Sequence, residues 1–287
     1  MKYQGVYFMK KTLIALALAA SAVSGMAHAW TSGDFNGTVD IGGSIDATNY
    51  RQKWEWEVGT GLNGFYNALS ELTNNDTKLT ITVTGNKPIL LGRTKEAFVT
   101  PTVGGWGGIP QIAFTDYKGA PVELKNPDGE TNKGLAYFVL PMKNADGTEA
   151  GSVRVNASYA GAVVEKTSDS SAKLFSAYAG EVIRIFNGGL PVNVSQSELQ
   201  SGVAAADRTA LFGSLGKADL VAQFQAVIPG ATVTDGTSSE HCSLRVLASA
   251  AYALGIADGQ TIEATFNQAV TTSTQWSAPL NVAITYY

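Results

Sequence analysis

His241 and Cys242 stand side by side, and a thiol next to an imidazole is one of the few pairings that can carry nucleophilic catalysis. Neighbours on a strand point to opposite faces, so these two could share a proton only across a special turn. Carboxylate pairs such as Glu55/Glu57 and Asp128/Glu130 could cleave a glycoside if held at the right separation, but surface charge explains them as well. Gly59-Thr60-Gly61-Leu62-Asn63-Gly64 matches the dinucleotide fingerprint G-x-G-x-x-G. The strand before it, Trp54-Glu55-Trp56-Glu57-Val58, alternates like a half-exposed antiparallel strand. The next one ends Val83-Thr84-Gly85-Asn86 with no acid for a ribose. The glycines therefore read as a loop. With one Cys and two His, the chain has neither a disulfide framework nor a His/Cys zinc cluster, and no metal or cofactor is expected. Cys242 reads first as a small buried hydrophobe, with an intermolecular disulfide as the alternative. Trp106, in Val103-Gly104-Gly105-Trp106-Gly107-Gly108, either packs back on the body or offers its face to a ligand such as a sugar.

The elements around these residues are mostly strands. Phe35, Val39, Ile41 and Ile45 fall on odd positions between mainly polar even ones, which puts one apolar row on one face of an extended segment. Trp54/Trp56/Val58, Leu79/Ile81/Val83 and Val153/Val155/Ala157/Tyr159 repeat the pattern, and Asn86-Lys87-Pro88, Asn126-Pro127-Asp128-Gly129 and Asn144-Ala145-Asp146-Gly147 punctuate it. Between Lys173 and Phe186 the apolar residues Leu174, Tyr178, Val182 and Phe186 recur every four, predicting a helix. A second helix is predicted from Lys217 to Ile228, stopped by Pro229-Gly230. Strands are expected again at Val246 to Ala253, Thr261 to Phe266 and Pro279 to Tyr287. An immunoglobulin-like sandwich needs only about 100 residues. The surplus reads as insertions into one sandwich, the largest a small α/β subdomain over roughly 160 to 232.

Residues Met9 to Ala29 combine Lys10 and Lys11, an apolar stretch from Leu13 to Ala20 and the triplet Ala27-His28-Ala29, the pattern of a cleavable export signal. Met9 is the expected start, and 1–29 the segment removed. Without it the chain keeps 17 basic against 24 acidic residues, so nothing resembles the basic footprint of a nucleic-acid binder.

The sequence Trp30-Thr31-Ser32-Gly33-Asp34-Phe35-Asn36-Gly37, the block from Lys78 to Phe98 and the ending Trp276-Ser277-Ala278-Pro279-Leu280-Asn281-Val282-Ala283-Ile284-Thr285-Tyr286-Tyr287 closely resemble the FaeG-like major subunits of enterobacterial chaperone/usher fimbriae. These are of the kappa class and close also to the ClpG-type subunits. The resemblance implies an incomplete immunoglobulin-like sandwich completed by donor-strand exchange. Residues 30–46 would be the donor extension and 47–287 the pilin domain. Phe35, Val39, Ile41 and Ile45 fit the donor row, while Leu280, Val282, Ile284 and Tyr286 fit the C-terminal strand that a periplasmic chaperone pairs with. Implied partners are identical subunits, that chaperone, an outer-membrane usher, minor fimbrial subunits and galactose-containing host glycoconjugates, on a route through the periplasm to the cell surface. In the family the receptor-facing insert stacks an aromatic ring on galactose. Tyr178 aligns with that ring, whereas Glu181 and Arg184 each lie one position from the family's charged partners. The glycine near the start of the last strand in many other pilins is absent, and Cys242 is unusual for the family.

Two other classes share some of these features. A secreted carbohydrate-active protein or enzyme would have the same export signal and strands but would work as a soluble monomer. An outer-membrane barrel would share the alternation, but it needs uniform strands of about 9–11 residues and has no place for helices.

Overall fold

The computed structural model describes residues 50–100, 107–181, 183–191, 198–239, 242 and 244–286. The expected donor row, Trp106 and His241 lie outside them.

Most described strands join one large sheet. β1 (Trp54–Val58), β3 (Lys87–Thr94), β9 (Ala248–Ile256), β6 (Glu149–Ser168), β10 (Thr261–Phe266) and β2 (Lys78–Thr82) lie in that order, each antiparallel to its neighbours. β5 (Leu135–Asn144) also pairs with β6, and the two-residue β11 (Trp276–Ser277) with β5. β7 (Ser171–Ala177) pairs antiparallel with β6 and parallel with β8 (Thr232–Ser239). A separate two-stranded sheet joins β4 (Pro110–Asp116) to β12 (Leu280–Tyr286). The main core lies between the sheets, with Ile112 and Phe114 of β4 packed in one cluster with Leu79, Phe138, Val155 and Leu254. This is the incomplete immunoglobulin-like sandwich with a helical insertion.

β6 shows how the insertion is seated. From Ser152 to Asn156 its residues alternate between half-exposed and buried, as on a sheet with one covered face; from Ala157 to Glu165 every residue is buried. The second face is covered there by α1 (Gly202–Leu211) and α2 (Lys217–Val227), whose Ala205, Ala206, Leu220 and Phe224 pack on Ala160, Ala162 and Val164. Ser201 caps α1, accepting a hydrogen bond from the Ala204 amide at 3.3 Å. Gly202 is required where α1 meets β7, since a Cβ there would lie 1.9 Å from the Leu174 carbonyl oxygen.

The helix predicted over 173–186 is not formed. Ser171–Ala177 is β7, and the chain then turns. The segment carries both periods: Ala172, Leu174 and Ser176 are buried at every second position, and Leu174 faces Val164 of β6 across the ladder. Two strands with free edges and a completely buried Leu174 prevail over a spacing of four. The first helix is instead α1.

Candidate assembly groove and receptor face

β12 alternates as expected. Leu280, Val282, Ile284 and Tyr286 are half-buried against the main core, while Asn281, Ala283 and Thr285 are exposed. Its register on β4 runs from Leu280 opposite Asp116 to Tyr286 opposite Pro110. On the far edge of β4, the Ile112 amide donates to the Asn187 carbonyl at 2.8 Å and the Phe114 carbonyl accepts from the Val122 amide at 2.9 Å. Even-numbered residues of β4 thus turn their backbone away from β12, and odd ones bond to it. By the antiparallel alternation, the backbone groups of Leu280, Val282, Ile284 and Tyr286 point to the other edge of β12. Among the described residues no strand pairs with that edge.

Beside the edge lies a hollow of about 980 Å³. Its floor is apolar and comes from several strands of the main sheet: Leu79, Phe138, Leu140, Val153, Val155, Ile262 and Phe266. Leu280 and Val282 form one wall, and the β1–β2 connection around Leu62, Phe65 and Leu72 another. The fingerprint-like glycines belong to this connection. Gly59 continues the β1–β3 contact by donating its amide to the Ile89 carbonyl at 3.0 Å, and a Cβ there would collide with the Pro88 oxygen at 1.7 Å. Of the three, Gly59 serves close backbone approach at the groove rim and Gly61 a left-handed turn at φ +76°, and a short 3₁₀ turn follows at Leu69–Glu71.

The end of β12 is pinned by side chains. The Trp56 indole N–H donates to the Tyr286 hydroxyl at 2.9 Å, and the Arg51 guanidinium lies 5.9 Å from the Tyr286 ring centre. Burial above all raises the Tyr286 phenol's pKa, with the Trp56 hydrogen bond and Arg51 pulling against it. Gly92 faces Trp56 across the ladder and leaves room for its ring, which a Cβ would meet at 2.4 Å. Trp56 in turn meets Phe186 edge-on at 6.3 Å, and Phe186 lies 5.2 Å from Tyr252. None of this clamp was foreseen beyond Tyr286 itself. Its sequence signal was the Trp54/Trp56 pair, whose shared parity placed both indoles on one face.

The residues aligned with the sugar site lie beyond β7. Tyr178 is half-buried, and its amide donates to the Ser239 carbonyl at 3.1 Å. It stands at a strand end rather than on a helix stripe. Glu181 is exposed and Arg184 largely covered, with their charged groups 3.7 Å apart. The Arg184 amide also donates to the Glu181 carbonyl at 3.0 Å, so the two share one tight turn. The Arg184 carbonyl accepts from the Gln111 side chain at 3.1 Å. Cys242 is completely buried; burial foremost, then the nearby Glu165 carboxylate, hold its thiol well above its ordinary pKa, against a hydrogen bond with Ser239 and the charge of Arg184. That matches the reading of a small buried hydrophobe.

Compared with known proteins, residues 9–287 match the K88-type family described as "Fimbrial, major and minor subunit". The chain belongs to this family. The fimbrial subunit is 69% identical over 286 residues to K88 fimbrial protein AB and 68% identical over 285 residues to K88 fimbrial protein AD, both of Escherichia coli. Each alignment covers 97% of this chain and the whole of the relative. F41 fimbrial protein of Escherichia coli is 29% identical over 297 residues, covering 97% of this chain and all of that protein. The chain is accordingly a structural subunit exported and assembled with like subunits into surface fimbriae, and not an enzyme.

Proposed function

We propose that this subunit polymerises by donor-strand complementation, residues 34–46 of one copy completing the sandwich of the next, and that its inserted region makes the fibre an adhesin for galactose-containing glycans. The observation carrying the first part is the edge of β12, unpaired among the described residues, beside an apolar hollow of about 980 Å³. An added strand would satisfy the outward backbone groups of Val282 and Ile284, and a row such as Phe35, Val39, Ile41 and Ile45 would fill the hollow. Pilins are themselves a known example of this mode of strand addition. Before assembly a periplasmic chaperone would occupy the same edge, and an outer-membrane usher and minor subunits would complete the pathway. Ile41→Asp buries a charge in that hollow, so fibres should disappear while the subunit still reaches the periplasm. Surface fibres at normal density from Ile41→Asp would rule the mode out.

The adhesin reading rests on Tyr178, Glu181 and Arg184 lying within one strand end and the turn after it. A half-buried ring and a paired acid and base suit a shallow site that binds one sugar weakly, and a fibre repeats such a site many times. With a strand-complemented Tyr178→Ala subunit, folding is measured by thermal unfolding and adhesion by binding to a galactoside array. Retained folding with lost binding is expected. Unchanged binding would remove Tyr178 from the site, and loss of folding would make it a core residue.

A further inference from the structure

β4 has β12 on one edge and, on the other, the segment that follows the Glu181–Arg184 turn. Besides the bond from Ile112 to Asn187, the Phe186 amide donates to the Pro110 carbonyl at 2.9 Å, and Gln111 and Asn187 form a parallel bridge. The open edge of β12 and the candidate receptor turn are therefore two rungs apart in one hydrogen-bonded ladder. The segment after the turn is also held in an unfavourable backbone state. Phe186 has φ +59° although it is neither glycine nor asparagine, and such residues persist only where their surroundings fix them. Gly188 has φ +86°, and a Cβ there would lie 2.0 Å from the Ile112 oxygen, so only glycine lets the segment lie this close to β4.

We propose that filling the β12 edge stabilises the 184–188 segment through β4, so that the receptor turn takes its binding shape in the polymerised subunit and loosens in the uncomplemented one. This rests on the donor-strand reading and adds a regulation to it. A strand bonded on one edge frays more readily than one bonded on both, and fraying of β12 exposes the β4 edge that β12 covers. Because β4 holds the strained 186–188 segment by its other edge and reaches the Arg184 carbonyl through the Gln111 side chain, its order and that of the turn are linked by cooperative local unfolding. A site quiet until assembly would keep single subunits in the periplasm from engaging glycans.

The test is amide hydrogen exchange on the mature Ile41→Asp chain, which on the donor-strand reading does not assemble by itself, with and without excess synthetic peptide of residues 34–46. The amides of Val282 and Ile284 report filling of the groove, those of Phe186 and Ile112 report the coupling, and those of α2 serve as reference. Added peptide should slow exchange at Val282 and Ile284, and at Phe186 and Ile112 by about tenfold, within the usual range of coupling between sites, with α2 unchanged. Protection at β12 without any at Phe186 and Ile112 overturns the coupling and leaves the donor-strand reading standing. Equal protection in α2 means global stabilisation and also overturns it. No protection at β12 overturns the donor-strand reading and the coupling together.

Discussion

At the scale of single residues, the one cysteine is chemically quiet because it is buried. Cys242 has no exposed surface, and burial holds its thiol protonated, so the nucleophilic thiolate is scarce and shielded. A thiol reagent such as dithionitrobenzoate should therefore label the native subunit at least about a thousandfold more slowly than the chain unfolded in guanidinium, because labelling waits for opening. Rapid labelling of the native subunit, or a reducible dimer in isolated fibres, would restore the intermolecular disulfide as the role of this residue. Burial is also what alternation alone could not tell. The parity of Trp54 and Trp56 was plain, yet nothing in the sequence said that Trp56 would grip Tyr286, 230 positions away, because that contact depends on how β1 and β12 are brought together.

At the scale of elements, legibility followed how many periods a segment satisfied. Thr261–Phe266 and Leu280–Tyr286 carry a single clean alternation, and both are strands within a residue of where it put them. Lys217–Val227, bounded by Asp219 near its start and Pro229-Gly230 after its end, is the helix its spacing predicted. Residues 173–186 satisfied two periods at once, and the contest was settled by partners distant in sequence, β6 and β8, which offered hydrogen bonds to a strand. α1 was missed because Ala204, Ala205 and Ala206 give little contrast between faces. The signals that could have found it are the capping Ser201 and the high helix propensity of the alanines themselves. The turn from Glu181 to Gly188 was not legible, since the spacing of four carried the predicted helix through Phe186. Its place beside β4 depends on the positive φ of Phe186 and Gly188, for which the sequence offers only the Asn187-Gly188 pair as a hint.

At the scale of the whole molecule, one sandwich has a bare side and a covered one. Among the described residues one side keeps an unpaired edge and an apolar hollow, and the inserted α1 and α2 cover the far half of β6, where the sheet would otherwise expose a second apolar face. On the donor-strand proposal such a subunit is incomplete alone and completed in a fibre, which fits a family whose members are fimbrial subunits. The sequence showed both ends of that arrangement, a period-two row at residues 35–45 and another at 280–286, since each is a simple alternation; the floor of the hollow, gathered from many strands, was not legible. The central claim, that the row at 35–45 enters a neighbour as a strand, is tested most directly by an aspartate scan of those residues, reading fibre yield per cell against the amount of subunit in the periplasm. Substitution at Phe35, Val39, Ile41 or Ile45 should abolish fibres, whereas substitution at Asn36, Thr38 or Ser44 should leave most of the yield, because strand side chains alternate between the hollow and solvent. A yield that falls equally at odd and even positions, or at none, would contradict it.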